Sequence, residues 1–211
     1  MVMSRQVDLT LDEQARRGTD WKLGARALGI SESFQREDER SIVVGVVMRG
    51  DLKIDGAAFC HPRVGGLDAT SEILSMYSRL GRSDVRAIII GGTVISWFNI
   101  VDLEILHRQT GLPVVSVSYE ESKGIKRYLE EYFPADWETR YEILVRNGDR
   151  SRVTLENGFD VFVNTRGITV RDAKKLLNVF THQGKAPEPV RVAGVIAASL
   201  RRDSAEELGL S

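Results

Sequence analysis

A single cysteine, Cys60, among 211 residues excludes an internal disulfide, and one Cys60–His61 pair lacks the second pair that a structural zinc site needs. Long apolar runs are also missing. RAIIIGGTVISWF is short and interrupted by glycine, well under the roughly 20 residues that cross a bilayer. The opening MVMSRQVDLT has no apolar core of the kind a secretory signal carries. These absences lead us to expect a cytoplasmic protein with no membrane role. Excess charge of one sign is absent as well: 29 Lys and Arg against 30 Asp and Glu leave a formal net charge of −1. No global field attracts a polyanion, so nucleic-acid contact would have to come from a local patch. Neither a Ser-His-Asp signature nor a nucleophile elbow is present, and GGTVIS is not a P-loop because no Gly-Lys-Ser/Thr follows it.

The chain does have enough apolar sequence, 42% of residues with 28% charged and no repeat, for one core. We expect a polar arm over residues 1–24, with a short helix near 11–17, and a single domain over 25–211. ARALGI, SIVVGVVM and KIDGAAFC read as strands, the last two as a hairpin; SEILSMYSRL has helical spacing. RAIII and LPVVSVS are continuous apolar runs suited to strands covered on both faces. WFNIVDLEILHRQTG, ESKGIKRYLEEYF, VRDAKKLLNVFTHQG and PVRVAGVIAASLRR read as helices, and YEILVR and FDVFVN as strands. This order predicts an α/β fold: a mixed sheet, antiparallel hairpin strands followed by parallel strands, with helices on both faces. Ribonuclease-H-like architecture is one fold built in this order, and a plain doubly wound sheet is its competitor.

Ligands of open α/β sheets gather outside the carboxyl ends of the strands, here the turns SES, GGTVIS and SYEES, joined by CHPRVGGLDAT. Phosphodiester cleavage with divalent ions needs carboxylates converging from separate strands, because hard cations take oxygen ligands. Glu32, Asp68 and Asp102 are the candidate catalytic residues, with Asp68 and Glu32 as metal ligands. The competing role for Asp68 is a helix N-cap, and for Asp102 a first-turn acid favoured by the helix dipole. Gly65 and Gly66 allow close backbone approach to a ligand, and Gly92 and Ser96 lie in a turn able to hold an anion. Trp97 offers a ring for base stacking and Asn99 an amide for a base edge, although aromatics at such a position are commonly core. His107 and His182 fall in amphipathic helices as surface residues.

The phrases LGISESF, VVGVVMRGDLKIDGAAF, VGGLDATSEIL, IIIGGTVISWFNIVDLEILHRQTGLPVVSVS and EPVRVAGVIAASL resemble, in order, those of the archaeal endonuclease dU family, a relative of endonuclease V. The resemblance runs from about Ala25 to about Leu200. It implies a ribonuclease-H-like fold and cleavage of strands near deaminated bases, deoxyuridine or inosine, assisted by Mg²⁺ or Mn²⁺. DNA is the expected partner ahead of RNA. The resemblance also implies three acidic ligands, of which only Asp68 is retained. Ser31 stands at the first position, followed by Glu32, and Gly91 with Gly92 stands where relatives carry Asp-Gly. A nucleic-acid-binding module of the same fold, without cleavage, is the alternative that these replacements raise.

Overall fold

The computed structural model of the chain describes residues 21–121 and 124–207. The expected arm therefore lies almost wholly outside the described residues, including the short helix near 11–17. Trp21, at its end, packs on the core and donates its indole N–H to the carbonyl of Asp172 at 3.3 Å.

Three strands come first: β1 (Arg26–Ser33), β2 (Ile42–Arg49) and β3 (Ile54–Cys60). After α1 (Ala69–Leu80) and β4 (Val85–Ile90), a two-stranded hairpin of β5 (Val94–Ile95) and β6 (Asn99–Ile100) leads into α2 (Leu103–Thr110). β7 (Val114–Ser118) is followed by α3 (Lys126–Tyr132), α4 (Trp137–Asn147), β8 (Ser151–Thr154), β9 (Asp160–Arg166), α5 (Val170–Phe180) and α6 (Glu188–Glu207). Seven strands form one sheet in the order β3-β2-β1-β4-β7-β9-β8. β1 runs parallel to β4 and β4 to β7, whereas β2, β3, β8 and β9 pair antiparallel, so the expected mixed sheet is present.

Alternation along the strands splits the core in two. Ala27, Val44, Ala87, Ile89 and Val115 face α5 and α6, and Leu28, Ile30, Val43, Ile88 and Ile90 face α1 and α2. Because side chains of a strand alternate faces, each strand residue near the functional end inherits its face from this register.

Two segments differ from expectation. YEILVR is part of α4, not a strand. Both buried residues of that helix, Arg140 and Asn147, are polar, so its inward face carries no apolar stripe for periodicity to detect. The strand between that helix and β9 is β8, a short strand at the sheet edge in which only Val153 is buried. Helical structure in WFNIVDLEILHRQTG begins only at Leu103, where Asp102 accepts a hydrogen bond from the Ile105 N–H at 3.0 Å. His107 is in α2, half-buried against the Leu112 carbonyl, and His182 lies exposed just beyond the end of α5.

Candidate functional site at the open end of the sheet

β1 keeps its pairing through Ser33, with Ser31 opposite Val44 and Glu32 opposite Val43. The strand therefore does not end before Glu32, and Ser31 and Glu32 point to opposite faces. Ser31 turns towards α6, where a β-carbon added at Gly194 would stand 3.1 Å from its Oγ. Gly91 follows β4 on the same face; its N–H bonds the Ile30 carbonyl, and an added β-carbon would lie 3.0 Å from a Val190 methyl. The two positions where the resemblance implies acids are thus small neighbours beside α6.

Glu32 sits on the other face and is held by the β5–β6 hairpin. Its Oε2 accepts from the Ser96 N–H at 2.5 Å and from Ser96 Oγ at 2.7 Å. Ser96 Oγ lies 2.5 Å from Ser41 Oγ, continuing the chain of polar groups. Burial raises the Glu32 carboxyl above its usual range, more than the two Ser96 hydrogen bonds lower it. Ser96 itself is fully buried, so this serine beside a carboxylate is not an accessible nucleophile.

The hairpin carries three successive left-handed residues with side chains, Ser96, Trp97 and Phe98, at φ 45°, 55° and 64°. Such a backbone costs about 1–2 kcal/mol per residue, so the surroundings must hold it. Arg140, only 2% exposed, does so with its whole guanidinium. It donates to the carbonyls of Phe98, Gly66 and Gly65 at 2.7–2.8 Å and to both carboxylate oxygens of Asp136. Its guanidinium carbon also lies 3.8 Å from the Phe133 ring centroid. One buried arginine therefore ties the paired-glycine turn to the strained hairpin. Sequence reasoning missed it; the available signal was the Asp136–Arg140 spacing of an i,i+4 helical pair.

The glycines have a related purpose. Gly65 adopts φ 69° and passes within 2.9 Å of the Trp97 ring as measured from a would-be β-carbon, and one at Gly66 would meet Asp68 Oδ1 at 2.7 Å. The close approach is made to the protein's own groups, so these turns do not need a ligand to explain them.

Asp68 accepts from Asn99 Nδ2 at 2.7 Å and from the Arg63 N–H at 3.1 Å. It does not cap α1. That role falls to Asn99, whose Oδ1 accepts the Ala69 N–H at 3.0 Å while its Nδ2 also donates to the Arg63 carbonyl. Asn99 is fully buried and its amide is committed, which leaves no group to read a base edge. Asp102 is likewise accounted for: it caps α2, is 2% exposed, and has Arg146 Nε 3.1 Å from its carboxylate. It lines a groove between α1, α2 and α4 with Leu67 and Leu74, away from the Glu32 turn.

A pair of Mg²⁺ or Mn²⁺ ions needs several carboxylate oxygens converging on each ion. Among the described residues no three His, Cys, Asp or Glu side chains converge in this way. Ser31 and Gly91 supply no carboxylate, Glu32 faces away from them, and Asp102 is spent on a helix cap. The described residues do not fit a two-ion centre. Nor does Cys60 offer a soft ligand, since burial, with Glu72 adding to it, pushes its thiol up to about 12. A cavity of about 580 Å³ beside α4, lined by Tyr141, Arg150 and Phe162, holds none of the predicted residues.

A mixed sheet with this strand order, helices on both faces and a turn cluster at the carboxyl ends of β1 and β4 is the ribonuclease-H-like fold that endonuclease V also has. Endonuclease V from Streptomyces avermitilis superposes with a TM-score of 0.62 at 16% identity, covering 92% of this chain and 91% of that one. Endonuclease V from Ciona intestinalis, in complex with a 24mer DNA containing an inosine followed by a ribo-adenosine, superposes at 0.55 and 11% identity, covering 94% and 95%. A protein of unknown function from Archaeoglobus fulgidus superposes at 0.73 with 29% identity, covering 83% and 98%. The chain belongs to the endonuclease dU family, whose model matches residues 23–201. A UPF0215 protein from Pyrobaculum calidifontis is 34% identical over 175 residues, 82% of this chain and 96% of that protein. Among the described residues no helix is long and apolar enough to cross a membrane.

Proposed function

We propose that the protein recognises nucleic acid at a deaminated base, deoxyuridine or inosine, on the surface around the β5–β6 hairpin, and that it binds there without two-ion cleavage. DNA is the partner and the cytoplasm the setting, with repair as the context. Family membership supports the class of target. The inosine-containing DNA held by the Ciona relative supports nucleic acid as ligand. One observation carries the absence of cleavage: Ser31 and Gly91, neither with a carboxylate, lie side by side next to Val190 and Gly194, with Glu32 on the opposite face. Loss of carboxylates removes both the charge compensation and the geometry that a divalent ion needs.

A second reading is a divalent-metal-dependent endonuclease with a rebuilt centre. It is favoured by Glu32 and Asp68, which are both anchored to residues of the same hairpin, Ser96 and Asn99. Labelled uracil- and inosine-containing strands, incubated with and without Mg²⁺ or Mn²⁺, separate the two. Binding without nicking is the expected result. Metal-dependent nicking that disappears in Asp68→Ala establishes the enzyme instead, and no salt-sensitive binding at all removes both readings.

A further inference from the structure

Beside the hairpin, four rings meet at the surface. Trp97 and Phe98 project from the left-handed turn, and Tyr128 and Tyr132 come from successive turns of α3. Phe98 stacks on Tyr128 with planes 26° apart, and Tyr128 lies nearly parallel to Tyr132 at 6°. Trp97 is 5.8 Å from Tyr132, centroid to centroid. Core aromatics would be closed over, but Tyr128 is 49% exposed and Tyr132 38%.

A cation lies over two of the rings. The Arg36 guanidinium lies 4.5 Å from the Trp97 centroid and 5.2 Å from that of Tyr132. Arg63 and Arg127 are exposed, and neither has an ion-pair partner among the described residues. Glu37, Glu39 and Glu131 are interspersed with them, so only a few phosphates can be neutralised here and ring contacts must supply much of the affinity. Paired bases hide their faces in the duplex stack, whereas an unpaired strand offers them to any aromatic surface.

From this we infer that Trp97, Phe98, Tyr128 and Tyr132 form a stacking platform for the unpaired bases of a single strand, in which the Arg36 guanidinium lies over Trp97 and Tyr132 to meet the phosphate of a nucleotide stacked beside it on Phe98 and Tyr128. The inference rests on the nucleic-acid reading above and specifies its substrate as single-stranded.

The test is fluorescence anisotropy with a labelled oligothymidylate of about 15 nucleotides and a duplex of the same length. The wild type should prefer the single strand. Tyr128→Ala, at a half-exposed position that leaves the core intact, should weaken binding roughly 10-fold, and Tyr128→Ala with Tyr132→Ala roughly 100-fold. Tyr128→Phe should bind as the wild type, because the ring face is kept. The slope of log K against log salt should be the same in all four proteins, since no phosphate contact is removed. Wild-type affinity for the single strand in both alanine variants overturns the platform while leaving nucleic-acid binding intact. A wild type that binds neither strand nor duplex overturns the function proposed above along with it.

Discussion

Glu32 shows how one side chain's face decides its chemistry. Its neighbour Ser31 looks into α6, while Glu32 is held, partly buried, by the Ser96 turn, where burial weakens the hydration of its charge. A carboxyl whose folded pKa is raised binds its proton more tightly in the fold than in the unfolded chain. Its contribution to stability is complete below the ordinary glutamate range and is lost as pH rises through the raised folded value. Compared with Glu32→Gln, which keeps an acceptor for the Ser96 N–H, the wild type should therefore lose ground as pH rises from the usual carboxylate range towards neutrality. Urea midpoints of both proteins across that range measure this. A stability difference that stays flat with pH contradicts the burial of the charge.

Among the elements, the start of α2 separates a structural carboxylate from a functional one. Asp102 accepts the Ile105 N–H and lies beside Arg146, half of whose side chain is exposed and so adds little. Asp102→Ala should cost about 1–2 kcal/mol in equilibrium unfolding, the usual loss for a cap, and should leave nucleic-acid affinity unchanged. Reduced affinity at undiminished stability would return Asp102 to the site. Helix α1 shows the opposite arrangement, with its cap supplied by Asn99 from 30 residues along the chain, which frees Asp68 to accept from Arg63. Such a cap leaves no local sequence signature, and the Asp immediately before the helix was the natural candidate for it.

For the molecule as a whole, α6 closes the sheet end. Pro189 and Val190 press so tightly on β1 that a β-carbon at Gly29 would come within 2.3 Å of the Pro189 backbone carbon. Backbone cannot yield as a flexible side chain does, so Gly29→Ala should destabilise by about 3 kcal/mol, with the loss visible as a lower urea midpoint. An unchanged midpoint would mean that α6 is not seated where Ser31 and Gly91 meet it. The strands of the central sheet were legible because burial on both faces demands continuous apolar runs such as RAIII and VVSVS, and the ordered family phrases were legible as text. The amino-acid sequence by itself also determined that Ser31 and Gly91 stand where the family resemblance implies acids. Only the tertiary structure decided which face Glu32 takes, that Asn99 and Asp102 serve as helix caps, and that α4 buries Arg140 against two turns far away in the chain. Those outcomes depend on strand register and on hydrogen bonds between distant segments, which local periodicity does not encode.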